Sequence, residues 1–412
     1  MPESAPISVD DGAGIAVQGG SLCIAGVPLT RLAERVGSTP FYAYSRAGIT
    51  ATVARLRAAL PFDVHLHYAV KANPMPAVVQ HLAGLVDGFD VASGLELRTA
   101  LDAPVSFRDV SFAGPGKTAA ELRQAAAAGV VVSVESAHQL RQLAAIGQEM
   151  GLRPPVILRV NPDFELRASG MQMGGGPKAF GIDTDQIPEL LGELAGMPIE
   201  FRGFQMFCGS QNLNADSIIE TQGRILDLAI ELGRSAPGPV RLLNMGGGFG
   251  IPYFAGDAEL DIASVGAALA RRLAAVRPSL PEAQIVLELG RYLVGPSGVY
   301  VCRVIDRKIS RGKVFIVTDG GLHHHLAASG NFGQVVRRNY PILIGNRAAG
   351  AADETVEIVG CLCTPIDVLG RSVALPAPEI GDLVVVQQSG AYGRSASPLG
   401  FLSHPEPAEI VV

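Results

Sequence analysis

From about residue 48 to 295, short apolar runs alternate with longer stretches whose apolar positions recur every three or four residues. The short runs are rich in β-branched and aromatic residues, and the longer ones have the period of amphipathic helices. Eight strands are predicted: DVHLHYAV, GFDVAS, VSFAG, VVVSVES, VILRV, GFQMFCG, RLLNMGG and IVLELG. Between them ATVARLRAAL, PAVVQHLAGLV, TAAELRQAAAA, AHQLRQLAAIGQEM, SIIETQGRILDLAIELG and VGAALARRLAAV read as helices. Eight such βα units close into a (β/α)8 TIM barrel of about 250 residues. A doubly wound open sheet is the competing reading.

After residue 295 the helical period fades. GVYVCRVIDRKI, KVFIVTDGG, ETVEIVGCLC and DLVVVQQSG read as strands separated by turns, which makes an all-β second domain. Near the N-terminus IAVQGGSLCIAGVPL and PFYAYS are also strand-like and can complete that domain from the other end of the chain. The expected division is therefore 1–46 joining the β-domain, 47–295 the barrel and 296–412 the C-terminal β-domain.

The length of 412 residues fits this plan, since roughly 150 residues per domain gives two or three units. Hydrophobic residues at 48% and charged residues at 17% describe a well-packed globular chain. A net charge of −6 supplies no basic field for nucleic acid or an anionic membrane. The opening MPESAPISVDDGAGIAV lacks a basic segment followed by an apolar one, and no run of about 18 apolar residues occurs, so a cytoplasmic location is expected. Five cysteines, at 23, 208, 302, 361 and 363, form no C-x-x-C pair and predict neither a disulfide framework nor a zinc site.

Candidate chemistry lies at the strand ends, where barrel enzymes carry their reactive groups. Lys71 follows the first strand in YAVKAN. It is either a solvated strand-end charge or a nucleophile whose desolvation at the barrel mouth favours imine formation with a carbonyl. NMGGGFG ends the seventh strand, and its consecutive glycines read equally as a tight turn or as a backbone cradle for phosphate. ELGR ends the eighth, placing Glu288 and Arg291 three residues apart. They make a plain ion pair, or else an acid for a heteroaromatic nitrogen and a base for phosphate. Together the three strand ends hold what pyridoxal 5'-phosphate requires of a protein.

YAVKAN, FDVASGLEL, NMGGGFG, ELGR, CTPID and GAYG also stand in the order that resembles the fold-type III pyridoxal-phosphate-dependent decarboxylases. This is the diaminopimelate/ornithine/arginine decarboxylase family, and the likeness runs from about residue 36 to the end. The resemblance implies an alanine-racemase-like barrel with a β-domain, and carboxy-lyase activity in amino-acid metabolism. It makes Lys71 the Schiff-base lysine and Glu288 the partner of the pyridine nitrogen, and it places Gly246, Gly247, Gly248, Arg291 and Tyr392 around the phosphate. Asp90, Arg159 and Ser210 match positions near the cofactor. The same family shares its active sites across a homodimer, so Cys363 and Asp367 of CTPID would serve the partner's site, with Cys363 protonating Cα after carbon dioxide leaves. Cys361, on the same strand face, is expected to be structural.

Several positions depart from the family pattern. The usual H-x-G-S-Q reads FCGSQ, so Phe207 stands where a histidine normally stacks on the cofactor ring; an aromatic face survives, but an imidazole proton does not. The usual serine-lysine before FG reads PKAFG at 177–181, which leaves the placement of Lys178 open. Thr364 occupies the place of a glutamate or aspartate that faces the distal amine of a diamino acid. Its loss removes a charge-assisted bond typically worth roughly 1.5–3 kcal/mol. CTPID and GNFGQVVRRNYP look more like a subgroup that includes exosortase-associated decarboxylases and one acting on glutamyl groups carried by an acyl-carrier protein. For such a substrate, Arg337 and Arg338 are either a meeting point for an acidic carrier or a solvated basic pair.

HHH at 323–325 does not predict a metal site, because consecutive residues on a strand face opposite ways. The function classes that remain are a decarboxylase on a small amino acid or a carrier-tethered aminoacyl group, a diaminopimelate or lysine/ornithine decarboxylase, a racemase of the same architecture, and a non-catalytic partner-binding homologue. Lys71, Glu288 and Cys363 together favour the decarboxylases.

Overall fold

The computed structural model describes residues 14–164, 171–172, 176–254, 256–332, 334 and 337–412. The chain forms two compact units, one of Val53–Ile251 and Glu259–Gly290, the other of Met1–Thr52, Pro252–Ala258 and Arg291–Val412.

The first unit is a closed parallel barrel. Its strands are Val64–Ala69, Gly88–Val91, Val110–Phe112, Val131–Val134, Pro155–Asn161, Glu200–Met206, Leu242–Gly247 and Gln284–Leu289. Each pairs in parallel with the next, and Ile285–Leu289 of the last lies in register with Val64–Tyr68 of the first. Closure settles the choice against an open sheet, because the eighth strand pairs with the first and the eight leave no edge among themselves. All eight strands fall where the apolar runs place them.

Local signals fix the helices between the strands. Thr118 and Glu121 form a reciprocal capping box before Ala119–Ala128, which stops at Gly129 in the left-handed region (φ 71). Ser136, Asn214 and Asp261 cap Ala137–Met150, Ala215–Gly233 and Ile262–Val276 in the same manner. Gly94–Leu101 and Ile187–Leu194 escape the periodic reading, since eight residues give barely two turns of pattern.

Strands of a parallel barrel are covered on both faces and read as nearly continuous apolar runs. Against that background His67, Asp90, Ser111, Ser133, Arg159, Gln205, Asn244 and Glu288 stand out, each on a barrel strand and each buried. Asn244 on the seventh strand lies 3.4 Å from Asp90 on the second, a contact between strands that are not neighbours in the sheet. The barrel lumen therefore holds a polar layer.

The second unit is built on the long strand Gly298–Ser310. It pairs antiparallel with Phe41–Tyr44, Lys313–Thr318 and Leu383–Val386. Phe41–Tyr44 in turn pairs in parallel with Ala408–Val411, so both ends of the chain enter one sheet. The N-terminal stretch supplies Ile15–Gln18, Ser21–Ile24 and Val27–Pro28, and also the helix Leu29–Val36, where only strands are expected from sequence. Leu22, Ile24, Leu29, Leu32, Phe41, Val299, Val301 and Val385 form an apolar core there. Among the described residues no helix is long and apolar enough to cross a membrane.

Candidate active site

Lys71 sits in the single turn Val70–Ala72 that follows the first barrel strand. The turn is held by Tyr68, whose hydroxyl donates to the Asn73 carbonyl at 2.9 Å, and by Asn73, whose side chain accepts from the Met75 N–H at 3.1 Å. Lys71 is 43% exposed, and its Nζ lies 3.4 Å from Glu288 Oε1 and 5.5 Å from the centre of the Phe207 ring. A lysine so placed is partly reached by solvent and lies against a carboxylate.

Glu288 is 4% exposed, on the strand beside that of Lys71. Its other oxygen accepts from Gln205 Nε2 at 2.8 Å and from Asn244 Nδ2 at 3.4 Å. Burial, and then the Asp90 charge, push its carboxyl above the usual range, against the pull of Lys71, Arg159 and Gln205. Gln205 is fixed from behind by Ser133, whose hydroxyl donates to Gln205 Oε1 at 2.5 Å. Asn244 holds three groups at once, since its Oδ1 also accepts the Gly246 N–H at 2.8 Å. It ties the glycine loop to both Glu288 and Asp90.

Asp90 accepts from Ser111 and lies 3.3 Å from His67 Nδ1, an ion pair without an aligned hydrogen bond. Arg159 donates to Glu135 at 2.9 Å and packs over Phe180. Glu135 in turn receives the Gly114 N–H at 2.5 Å and the Gly181 N–H at 3.1 Å, which fixes two loops at the strand ends. Ser210 lies on the two-residue strand Gly209–Ser210, paired with Met171–Gln172. Lys178 is half-buried in the loop before Gly181.

The glycine loop has two left-handed residues, Gly246 (φ 64) and Gly248 (φ 79). A Cβ on Gly247 would lie 2.2 Å from the Glu288 carbonyl, and one on Gly246 would lie 2.8 Å from the Phe207 ring. Only glycine allows this close approach of loop, ring and eighth strand.

In the other unit Arg291 opens the short helix Arg291–Val294. Its guanidinium donates to the Tyr253 hydroxyl at 2.5 Å and lies 4.7 Å from the Tyr392 ring centre. Cys363 is exposed and Thr364 partly so. Asp367 is 2% exposed, and its carboxylate accepts the Leu322 and Leu362 N–H groups at 2.6 and 2.8 Å. Arg337 donates to the Val368 carbonyl, while Arg338 lies 3.4 Å from Asp257 and stacks on Phe254. His324 and His325 are buried and hydrogen-bonded to Pro405 and Ser389.

Within the barrel unit, then, Lys71, Asp90, Phe207, the glycine loop and Glu288 come together, and the Arg159 charge acts on Glu288. Gln205, Asn244, Ser133 and His67 complete the arrangement without having been singled out from sequence. Their signal was present as polar residues at buried positions of strands that should be apolar.

A lysine beside a buried carboxylate at the C-terminal ends of adjacent barrel strands, with a side-chain-free loop next to them, defines a site for a carbonyl cofactor with an anionic tail and a basic ring nitrogen. The fit has a physical basis: a buried carboxylate whose protonation is favoured by burial is stabilised as an anion when a positive ring nitrogen meets it. The comparisons agree. Residues 46–295 match the family of the pyridoxal-dependent decarboxylase, pyridoxal binding domain, and the chain belongs to that family. It is a pyridoxal-phosphate-dependent carboxy-lyase.

The chain is 37% identical over 393 residues to the L-glutamyl-[BtrI acyl-carrier protein] decarboxylase of Niallia circulans, covering 93% of this chain and 90% of that protein. It is 31% identical to the 2-[(L-alanin-3-ylcarbamoyl)methyl]-2-hydroxybutanedioate decarboxylase of Staphylococcus aureus, covering 89% and 92%. The diaminopimelate decarboxylase structure from M. jannaschii superposes with a TM-score of 0.88 at 24% identity, over 97% of this chain and 93% of that one, and shares the fold.

Proposed function

We propose that the protein removes the α-carboxylate of an aminoacyl group tethered to an acyl-carrier protein, with Lys71 as the cofactor-holding lysine. The observation that carries the cofactor assignment is the 3.4 Å approach of Lys71 Nζ to the buried Glu288 carboxylate. Pyridoxal phosphate, when bound, supplies an electron sink for the carbanion left by carbon dioxide. Glu288 keeps a proton on the ring nitrogen, and the Gln205 and Asn244 amides hold its carboxylate in place. Phe207 offers an apolar face beside Lys71, and the Gly246–Gly248 loop leaves backbone free to approach phosphate. Arg291 and Tyr392 are the family's phosphate residues in the other unit, and Asp90, Arg159 and Ser210 the supporting ones.

Cys363 is the proton donor to Cα, working in the site of a partner subunit in a homodimer; its exposed thiol supports this. Thr364 lies next to it as a substrate-facing residue, and Asp367 sets the course of their loop. Two observations support a carrier-bound substrate. Thr364 cannot form the ion pair that selects a free diamino acid. The relative that is 37% identical acts, by its name, on a carrier-bound glutamyl group.

Carbon dioxide release distinguishes the substrates when measured with carrier-tethered glutamate and with free diaminopimelate, lysine, ornithine and arginine. Release from the tethered glutamate alone is expected; equal or faster release from a free diamino acid overturns the carrier assignment. Borohydride reduction of the holoenzyme fixes the cofactor mass on the peptide containing Lys71, and attachment elsewhere removes its role.

A further inference from the structure

The three consecutive histidines of the β-domain differ in how they are satisfied. His324 has Pro405 O at 2.8 Å from Nε2 and the Tyr300 hydroxyl at 3.3 Å from Nδ1. His325 has Ser389 Oγ at 2.9 Å from Nε2, and its Nδ1 accepts the Ala328 N–H at 3.2 Å. His323 is fully buried, and among the described residues neither of its ring nitrogens has a hydrogen-bond partner. A buried imidazole left in that state is destabilising, because its desolvated nitrogens gain nothing in return. Its ring packs on that of His324, and beyond it stand a thiol and the imidazole of His404. Ligand atoms of His323, Cys361 and His404 all lie within 4.8 Å of one another, and Cys361 Sγ is 3.8 Å from His404 Nδ1.

We infer that His323, Cys361 and His404 form a three-residue binding site for a borderline divalent cation of the zinc class. The chemistry of the set is selective. Two imidazoles and a thiolate suit zinc or cobalt and are poor ligands for magnesium or calcium. In a tetrahedral site with metal–sulfur and metal–nitrogen bonds of about 2.3 and 2.0–2.1 Å, neighbouring ligand atoms stand about 3.3–3.6 Å apart. The Cys361–His404 edge is nearly closed to that length, and the other edges need a shift of about an ångström, within reach of side-chain rotation. Cys361 and His404 are both partly exposed, which leaves solvent access for a water as fourth ligand.

Binding is balanced by one proton. The Cys361 thiol loses its hydrogen, now directed at the Asp319 carbonyl 3.6 Å away, to solvent as the sulfur–metal bond forms, and the two imidazoles bind as neutral donors. The consequence for the chain is positional. His323 follows the strand Lys313–Thr318, Cys361 follows Glu354–Val359, and His404 precedes Ala408–Val411, so one ion fastens three connecting segments. One of them carries Cys363, two residues beyond the ligand.

The test uses the holoenzyme, stripped with a chelator and desalted, and then titrated with Zn2+ against a chromophoric competitor and separately with Co2+. The expected results are one ion per chain, a sulfur-to-cobalt charge-transfer band, and protection of Cys361 but not Cys363 from iodoacetamide. C361S and H404Q should each weaken binding by roughly 30-fold or more, and C361S should abolish the charge-transfer band. Because H404Q changes a partly exposed residue, its retained circular dichroism separates loss of the site from loss of the fold. Absence of saturable binding, a cobalt spectrum without sulfur ligation, or unchanged affinity in both variants overturns the site.

Discussion

Two carboxylates, one in each unit, are almost equally hidden: Glu288 is 4% exposed and Asp367 is 2% exposed. Burial pushes both above the usual carboxylate range. They differ in what surrounds them. Glu288 meets the side chains of Lys71, Gln205 and Asn244, groups that can turn, exchange partners or accept a ligand between them. Asp367 meets two backbone N–H groups and is wedged against Gly321 and Gly360, where an added Cβ would stand 2.2 and 2.3 Å from its oxygens. Burial and a raised pKa are therefore shared by an acid poised for chemistry and an acid that frames a loop. The kind of partner separates them.

The largest effect expected from that difference is on turnover. E288Q retains the shape of the side chain and its amide neighbours but cannot carry the negative charge that a protonated ring nitrogen needs. Its kcat should fall by roughly 10²–10⁴-fold. The melting temperature of the cofactor-free protein should hold or rise, since a desolvated charge has been removed. Near-normal turnover in E288Q would place Glu288 with Asp367 among the framing residues.

D367A should act the other way. It strands two buried N–H donors, and at about 1–3 kcal/mol for each unsatisfied group the cost is roughly 2–6 kcal/mol. A lower denaturation midpoint of the β-domain measures it, while cofactor absorbance in the barrel should persist. A third variant, G360A, probes the same wedge from the backbone side. Overpacking against a fixed carboxylate costs roughly 1–3 kcal/mol, and the loss should shrink in the D367A background, where the carboxylate is gone.

The contrast also explains what could be read from the chain beforehand. Strand ends were legible because apolar runs stop at them, so Lys71, the glycine loop and Glu288 were found at corresponding ends of separate strands. Gln205, Asn244 and His67 were legible in principle as polar interruptions of buried strands, but their role depends on which strands face each other across the lumen. The partners of Asp367 left less trace. Leu322 lies 45 residues away and contributes only its backbone, which no side-chain pattern reports. The pairing of His323 with Cys361 and His404 is hidden for the same reason, since three connecting segments meet only once the sheet has formed.

The smallest effect sharpens the barrel side of the comparison through pH. Burial alone would lower His67, but the charge and proximity of Asp90, with Asp109 and Asp87 further off, leave its pKa above the ordinary value. Arg108, Arg202 and Arg241 line the small cavity beside it. A histidine whose folded-state pKa is raised adds stability that is fully present below its unfolded value of about 6.5 and is lost as pH rises through the folded value. The advantage of the wild type over H67N should therefore be greatest near pH 6 and shrink toward pH 9, as measured by urea unfolding of the barrel. D90N should flatten most of that slope, because the largest of the charges that raise His67 has been removed. Parallel curves for wild type and H67N would mean that His67 stays neutral beside Asp90, leaving Glu288 as the proton-sensitive member of the lumen network.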